Sequence, residues 1–208
     1  MVDIPAPAAY DLPMKTNRNP KTARPRATTP IAARVTIPAM LAALTAIGAV
    51  IAIPLPGGAV PFTLQVFFVL LAGAVAGPTD GATSMLVYLA LGTAGIPVFS
   101  MMTAGPGVLL GPRGGYLMAF PVAALVTGVL AGPRSGAGVL RTVLAMLLGL
   151  ASIYALGAIW LCRVTGKSPG AALAVGVVPF IPLDVAKALA AAVIASKRKG
   201  WRGSGSSR

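Results

Sequence analysis

Residues 178–187 read VPFIPLDVAK, and two charges, Asp184 and Lys187, stand there in a stretch that is otherwise apolar from Ala171 to Ala195. No other charge falls between Lys167 and Lys197. Positions three apart share a helix face, so a carboxylate and an ammonium meet inside a segment long enough to cross a bilayer. Charges are costly at that depth and face a cavity or a partner. Such a pair either neutralises itself and pins helix packing, or forms the polar floor of a binding site. In the second case Lys187 meets an anionic group of a ligand and Asp184 accepts its N–H groups.

The composition fits a membrane protein. Apolar residues make up 56% of the 208, and charged ones only 10%, against about 25% in ordinary soluble domains. Mean hydropathy is +0.84. There is no His and no Glu, and the four acids are Asp3, Asp11, Asp80 and Asp184. That excludes a Ser-His-Asp triad and an HExxH zinc site, and leaves Asp80 with Asp184 as the one acid pair outside the tail. Cys162 is alone, so neither an internal disulfide nor a cysteine metal cluster is expected. No metal and no cofactor is implied.

Apolar runs and breakers predict an all-α, polytopic membrane protein of six helices. Residues 1–35 hold six Pro with Lys and Arg between them and no apolar period, which predicts a disordered basic tail rather than a signal peptide. Spans are predicted at 36–53, 62–76, 81–95, 115–131, 139–162 and 171–195, followed by a basic tail at 196–208. GPTDG at 77–81 reads as a turn. Pro179 and Pro182 interrupt the last span, and a helix starting at Pro182 would put Asp184 in its first turn. Residues 96–114 are rich in Gly and Pro yet largely apolar, which predicts a re-entrant or lid-like segment capping the spans. Small residues on the first span, Ala39, Ala42, Ala43, Ala46 and Ala49, offer close approach to another helix, within this chain or in a partner.

The net charge of +13 lies mostly in the tails, with six basic residues in the first 34 positions and five in the last 12. This pattern predicts segments facing anionic lipid, not nucleic acid. With both termini in the cytoplasm, thirteen Lys or Arg fall inside, while Arg113, Arg163 and Lys167 fall outside. The positive-inside rule therefore predicts a multi-pass protein of the cytoplasmic membrane with both termini cytoplasmic. Trp160 then nears the outer end, as a belt residue or as part of a site.

Four segments, taken in order, carry a family resemblance: VPFTLQ at 60–65, YLALGTAGIPVF at 88–99, GPRGGYLMAF at 111–120 and FIPLDVAK at 180–187. Together they resemble the BioY family, the biotin-specific substrate-capture (S) components of energy-coupling-factor (ECF) vitamin transporters. The resemblance covers about residues 36–195. It implies a six-helix fold binding biotin near the outer face, partnered by a transmembrane coupling protein (T component) and ATPase subunits. It places biotin-site roles on Asp184, Lys187, Thr63, Gln65, Gly114, Gly115 and Tyr116, and coupling-face roles on Ala39 and Ala43. Ala46 continues that small face.

Two positions depart from the family's usual pattern. Arg113 stands where Thr or Ser is usual, which leaves its role open. Leu183 stands where Gly is usual, beside the charge pair. Biotin offers a carboxylate, a ureido group with two N–H donors and a carbonyl, and an apolar bicycle. Lys187, Asp184, Gln65 and Thr63, with Tyr88, Phe99 and Tyr116 as aromatic walls, form a matching set. The competing expectations are an S component for another vitamin, or an intramembrane enzyme using Asp80 with Asp184 or Ser84 with Lys187. No GxxxxGK[ST] loop occurs, so energy must come from a partner or an ion gradient.

Overall fold

The computed structural model describes residues 31–54, 60–132 and 138–203, with the side chains of 35–54, 60–132 and 138–197. Its long elements are all helical: α1 (Ile31–Val50), α2 (Gln65–Ala76), α3 (Pro78–Thr93), α5 (Gly114–Ala131), α6 (Val139–Thr165) and α8 (Ile181–Gly203). The short helices α4 (Pro106–Leu110) and α7 (Pro169–Gly176) fill two connections. The expected tails lie largely outside the described residues, although α1 and α8 reach into both.

Three stretches are long and apolar enough to cross a membrane: Gly114–Ala131, Val139–Thr165 and Pro169–Lys197. Val35–Val50 and Gln65–Ala76 are shorter apolar helices. Large apolar side chains point outward, among them Leu140, Leu144 and Leu148 on α6 and Val122, Leu125 and Val129 on α5. Such a surface suits lipid rather than water.

Helix α5 is the centre of the packing. Eleven of its eighteen residues are buried, and it packs against α2, α3 and most extensively α6. The helices meet through small residues, as membrane helices do. A Cβ on Gly73 of α2 would lie 2.3 Å from the Ala124 carbonyl oxygen of α5, and one on Gly128 of α5 would lie 2.5 Å from the Pro78 nitrogen of α3. Backbone faces backbone at both places, so neither neighbour can yield.

Several boundaries differ from the sequence reading. Thr63 is not helical. Phe62 and Thr63 form a strand (β2) paired antiparallel with Ala52–Ile53 (β1), which closes the first connection before α2 begins. The GPTDG turn narrows to Gly77, with φ of 91°, and Pro78 occupies the first turn of α3, where its missing N–H costs nothing. Asp80 is therefore in a helix, not in a loop. Helix α6 runs on to Thr165 and stops at left-handed Gly166, so Arg163 belongs to its last turn. The last span is broken into α7, a 3-10 turn at Val178–Phe180, and α8. Pro179 and Pro182 are the cause, since neither can continue a helix that approaches it.

The apolar connection at 96–114 folds back on the helices but is only partly buried. Phe99 and Ser100 are enclosed, whereas Met101, Met102 and Leu110 are exposed. A bridge between Phe99 and Thr103 holds the bend.

Candidate functional site

The Asp184–Lys187 pair exists as the spacing predicts. Ile181 starts α8, so Asp184 falls in its first turn, where the helix dipole favours an anion. Asp184 is 3% exposed. Its Oδ1 accepts from Lys187 Nζ at 2.7 Å, and its Oδ2 accepts from the Tyr154 hydroxyl of α6 at 2.8 Å. Lys187 also donates to the Thr63 carbonyl, and its ammonium lies 3.5 Å from the centroid of the Phe62 ring. The pair thus fastens α8 to α6 and to β2. Each carboxylate oxygen retains acceptor capacity beyond these contacts.

A second network runs along the other wall. The Thr63 hydroxyl donates to Gln65 Oε1 at 3.0 Å, the Gln65 amide donates to the Tyr88 hydroxyl, and Tyr88 donates to the Val98 carbonyl at 3.0 Å. Tyr116 of α5 donates to the Gly176 carbonyl at 3.0 Å, which ties α5 to the end of α7. No buried side-chain N or O among the described residues lacks a hydrogen-bond partner.

A pocket opens between these networks. Four residues expected from the sequence line it: Thr63, Gln65, Tyr116 and Asp184. Five do not. Lys187 is not among the lining residues, although its ammonium contacts Asp184 and Thr63, which are. Tyr88 and Phe99 are core residues, with rings 5.6 Å apart, edge to face. A Cβ on Gly114 would lie 1.6 Å from the Leu109 carbonyl oxygen, and one on Gly115 would lie 2.2 Å from Trp160 Cβ. Both glycines permit close contact with a neighbouring segment. Trp160 itself donates from its indole N–H to the Gly111 carbonyl at 3.0 Å, fixing the turn before α5.

The sequence reading missed Tyr154, Phe120, Ile153, Phe180 and Ser100 of the wall. Arg113, whose role was open, also lines it. The small face of α1 divides. Ala42 and Ala49 are buried, Ala39 and Ala43 are exposed, and Ala46 is half-buried against the core.

An all-helical body with an apolar outer surface and a polar pocket among its helices defines a membrane-embedded solute-binding protein. The chain belongs to the BioY family, whose model matches residues 16–203. A probable biotin transporter BioY of Pyrococcus horikoshii is 44% identical over 169 residues, 81% of this chain and 98% of the relative. The biotin transporter BioY of Thermotoga maritima is 43% identical over 157 residues, 76% of this chain and 90% of the relative. A crystal structure of the S-component for biotin from an ECF-type ABC transporter superposes with a TM-score of 0.76 at 28% identity, covering 82% of this chain and 92% of that one.

Proposed function

We propose that this chain captures biotin for uptake across the cytoplasmic membrane, as the S component of an ECF-type transporter. It binds and delivers its ligand rather than transforming it. The carrying observation is Asp184, a buried carboxylate held by Tyr154 and Lys187 in the wall of an otherwise largely apolar pocket. A ureido group supplies N–H donors suited to such an acceptor, and Thr63 and Gln65 line the same pocket for its carbonyl and remaining N–H. Tyr116, Phe120, Ile153 and Phe180 offer apolar surface for the bicycle and chain. Lys187 acts as the counter-ion that balances and orients Asp184.

Six crossings, by α1, α2, α3, α5, α6 and α7 with α8, put both termini in the cytoplasm and the pocket toward the outside, in agreement with the basic tails. The exposed Ala39 and Ala43 of α1, with Ala46 at their edge, serve as the docking stripe for the T component, which links the chain to its ATPase subunits. Calorimetric titration of the detergent-purified protein tests the reading. Biotin should bind at submicromolar concentration or tighter, and thiamine and riboflavin should not compete. Equal affinity for either of those vitamins would overturn it.

A further inference from the structure

We infer that a groove on the lipid-facing side of α5 and α6 binds an anionic phospholipid, its phosphate on Arg163 and an acyl chain between Met118 and Ile159. The groove shares no lining residue with the pocket described above, and its use requires only that α6 cross a bilayer. Leu156, Ile159, Trp160 and Arg163 are spaced at i, i+3, i+4 and i+7, so they share one face of α6. Gly115 and Met118, three apart on α5, line the groove with them. A Cβ on Gly115 would lie 2.2 Å from Trp160 Cβ, so the two helices approach closely there. Met118, Leu156 and Ile159 are exposed around that contact. The Trp160 indole is held by its 3.0 Å bond to the Gly111 carbonyl, which sets one wall before any ligand arrives.

The groove is apolar along its length and cationic at one end. Arg163 is exposed in the last turn of α6, and among the described residues it has no acidic partner. Of the two described acids, Asp184 is engaged by Lys187 and Tyr154. Asp80 belongs to the far end of the bundle. It lies in the first turn of α3 beside Pro78, and Pro78 meets Gly128, about 20 Å along α5 from Gly115. Lys167, exposed just past the end of α6, adds positive charge at the same end as Arg163. No carboxylate lines the groove to receive a choline or ethanolamine ammonium, so a headgroup of net negative charge is favoured. A helix C-terminus by itself favours a cation, but that does not account for an apolar groove ending on one. Depth agrees with the assignment. The 27 residues of α6 span about 40 Å, longer than a hydrocarbon core of about 30 Å. Arg163 therefore reaches the headgroup layer, while Ile159 and Leu156 lie about 6 and 10 Å deeper, at the level of acyl chains. A phospholipid carries its charge and its chains in the same order, and a guanidinium fork meets two phosphate oxygens at once.

Trp160 is a built-in reporter for the test. Trp201→Phe leaves it as the one tryptophan of the chain. This full-length protein is placed in vesicles of phosphatidylcholine and phosphatidylglycerol in equal amounts, with bromine on the acyl chains of one lipid or the other. Bromine quenches indole fluorescence on contact. Brominated phosphatidylglycerol should quench Trp160 more strongly, as expected for a relative affinity about two- to fivefold higher. Arg163→Gln should bring the two lipids to equality, and Arg163→Lys should keep most of the difference, since the charge remains. Lys197→Gln, which removes an exposed cation on α8 away from the groove, should change nothing. Glycerol 3-phosphate, which has the phosphate without the chains, should not displace the brominated lipid. Equal quenching by both lipids before Arg163 is changed overturns the assignment, and quenching by neither would mean that protein covers the groove. Equal loss of preference in Arg163→Gln and Lys197→Gln would reduce the effect to diffuse surface charge. Displacement by glycerol 3-phosphate would make Arg163 a site for soluble anions instead of lipid.

Discussion

The Tyr154 hydroxyl of α6 donates to Asp184 Oδ2 at 2.8 Å, while Lys187 occupies Oδ1 at 2.7 Å, so the buried carboxylate is held from two helices. The first contact orients Asp184 toward the pocket and the second balances its charge. Tyr154→Phe removes a hydrogen bond to a charged group, worth about 1.5–3 kcal/mol. We expect biotin affinity to fall by about ten- to a hundredfold. Calorimetry decides it; unchanged affinity would mean that Lys187 alone fixes the carboxylate.

Stability and affinity should separate in the charge pair. Lys187→Met strands a carboxylate that is 3% exposed, and breaking a buried pair costs about 3–5 kcal/mol. Asp184→Asn combined with Lys187→Met removes both charges and should recover much of the thermal stability. It should not recover biotin binding, because Asp184 lines the pocket. Thermal unfolding and titration on the same three proteins test this. A double variant with restored affinity would make the pair structural only.

Tyr116 forms part of the pocket wall because glycines leave room for it. A Cβ on Gly157 would lie 2.3 Å from the Tyr116 ring, and the Tyr116 hydroxyl rests on the Gly176 carbonyl. Gly157→Ala should push the ring toward the cavity. Overpacking of this kind costs about 1–3 kcal/mol, and here it should appear as weakened biotin binding. Tyr116→Leu in the same background should relieve it. Binding unaffected by Gly157→Ala would show that the ring moves away from the site at no cost.

Much of this site was legible because charge in an apolar run must be explained. Asp184 and Lys187 announced themselves by spacing alone, and Thr63, Gln65 and Tyr116 followed from the resemblance. The direction in which Lys187 points was not legible, since it depends on a carbonyl and a ring 124 and 125 positions away in the chain, Thr63 and Phe62. Tyr154 was missed for a related reason. A tyrosine in an apolar helix reads equally as core or belt residue, and only the need of a buried carboxylate for a second donor singles it out. Aromatic residues near a site, such as Tyr88 and Phe99, suit a wall or a core equally. Their rings pack edge to face, with Phe99 also against Gly92. The break between α7 and α8 was visible in Pro179 and Pro182, whereas the β1–β2 pairing carried no alternation long enough to read.

The coupling face gives a paired prediction on adjacent residues. Ala43 is exposed, while Ala42 beside it is 1% exposed. Ala43→Trp should leave folding and biotin binding intact but prevent recovery of the chain with its T component. Ala42→Trp should instead abolish folding, since a large side chain has no room in a packed core. Complex recovery by affinity purification, with titration as the folding control, distinguishes them. Loss of binding in Ala43→Trp would place that face inside the protein.

Topology can be tested with single cysteines after Cys162→Ser. The basic residues concentrated at both ends predict cytoplasmic termini, so a cysteine at Ala23 should be protected from an impermeant thiol reagent in intact cells and should react after permeabilisation. The outer probe belongs on α4. Gly105 is unsuitable, because its φ of 91° strains any side chain. Gly107 is exposed and has open space where a Cβ would sit, so Gly107→Cys should fold and react in intact cells. Arg113 follows within the next turn of chain, so labelling at Gly107 in the presence of saturating biotin also reports whether ligand closes this segment over the pocket. Protection of Gly107→Cys in intact cells, with reaction at Ala23→Cys, would invert the orientation and place the pocket on the cytoplasmic side.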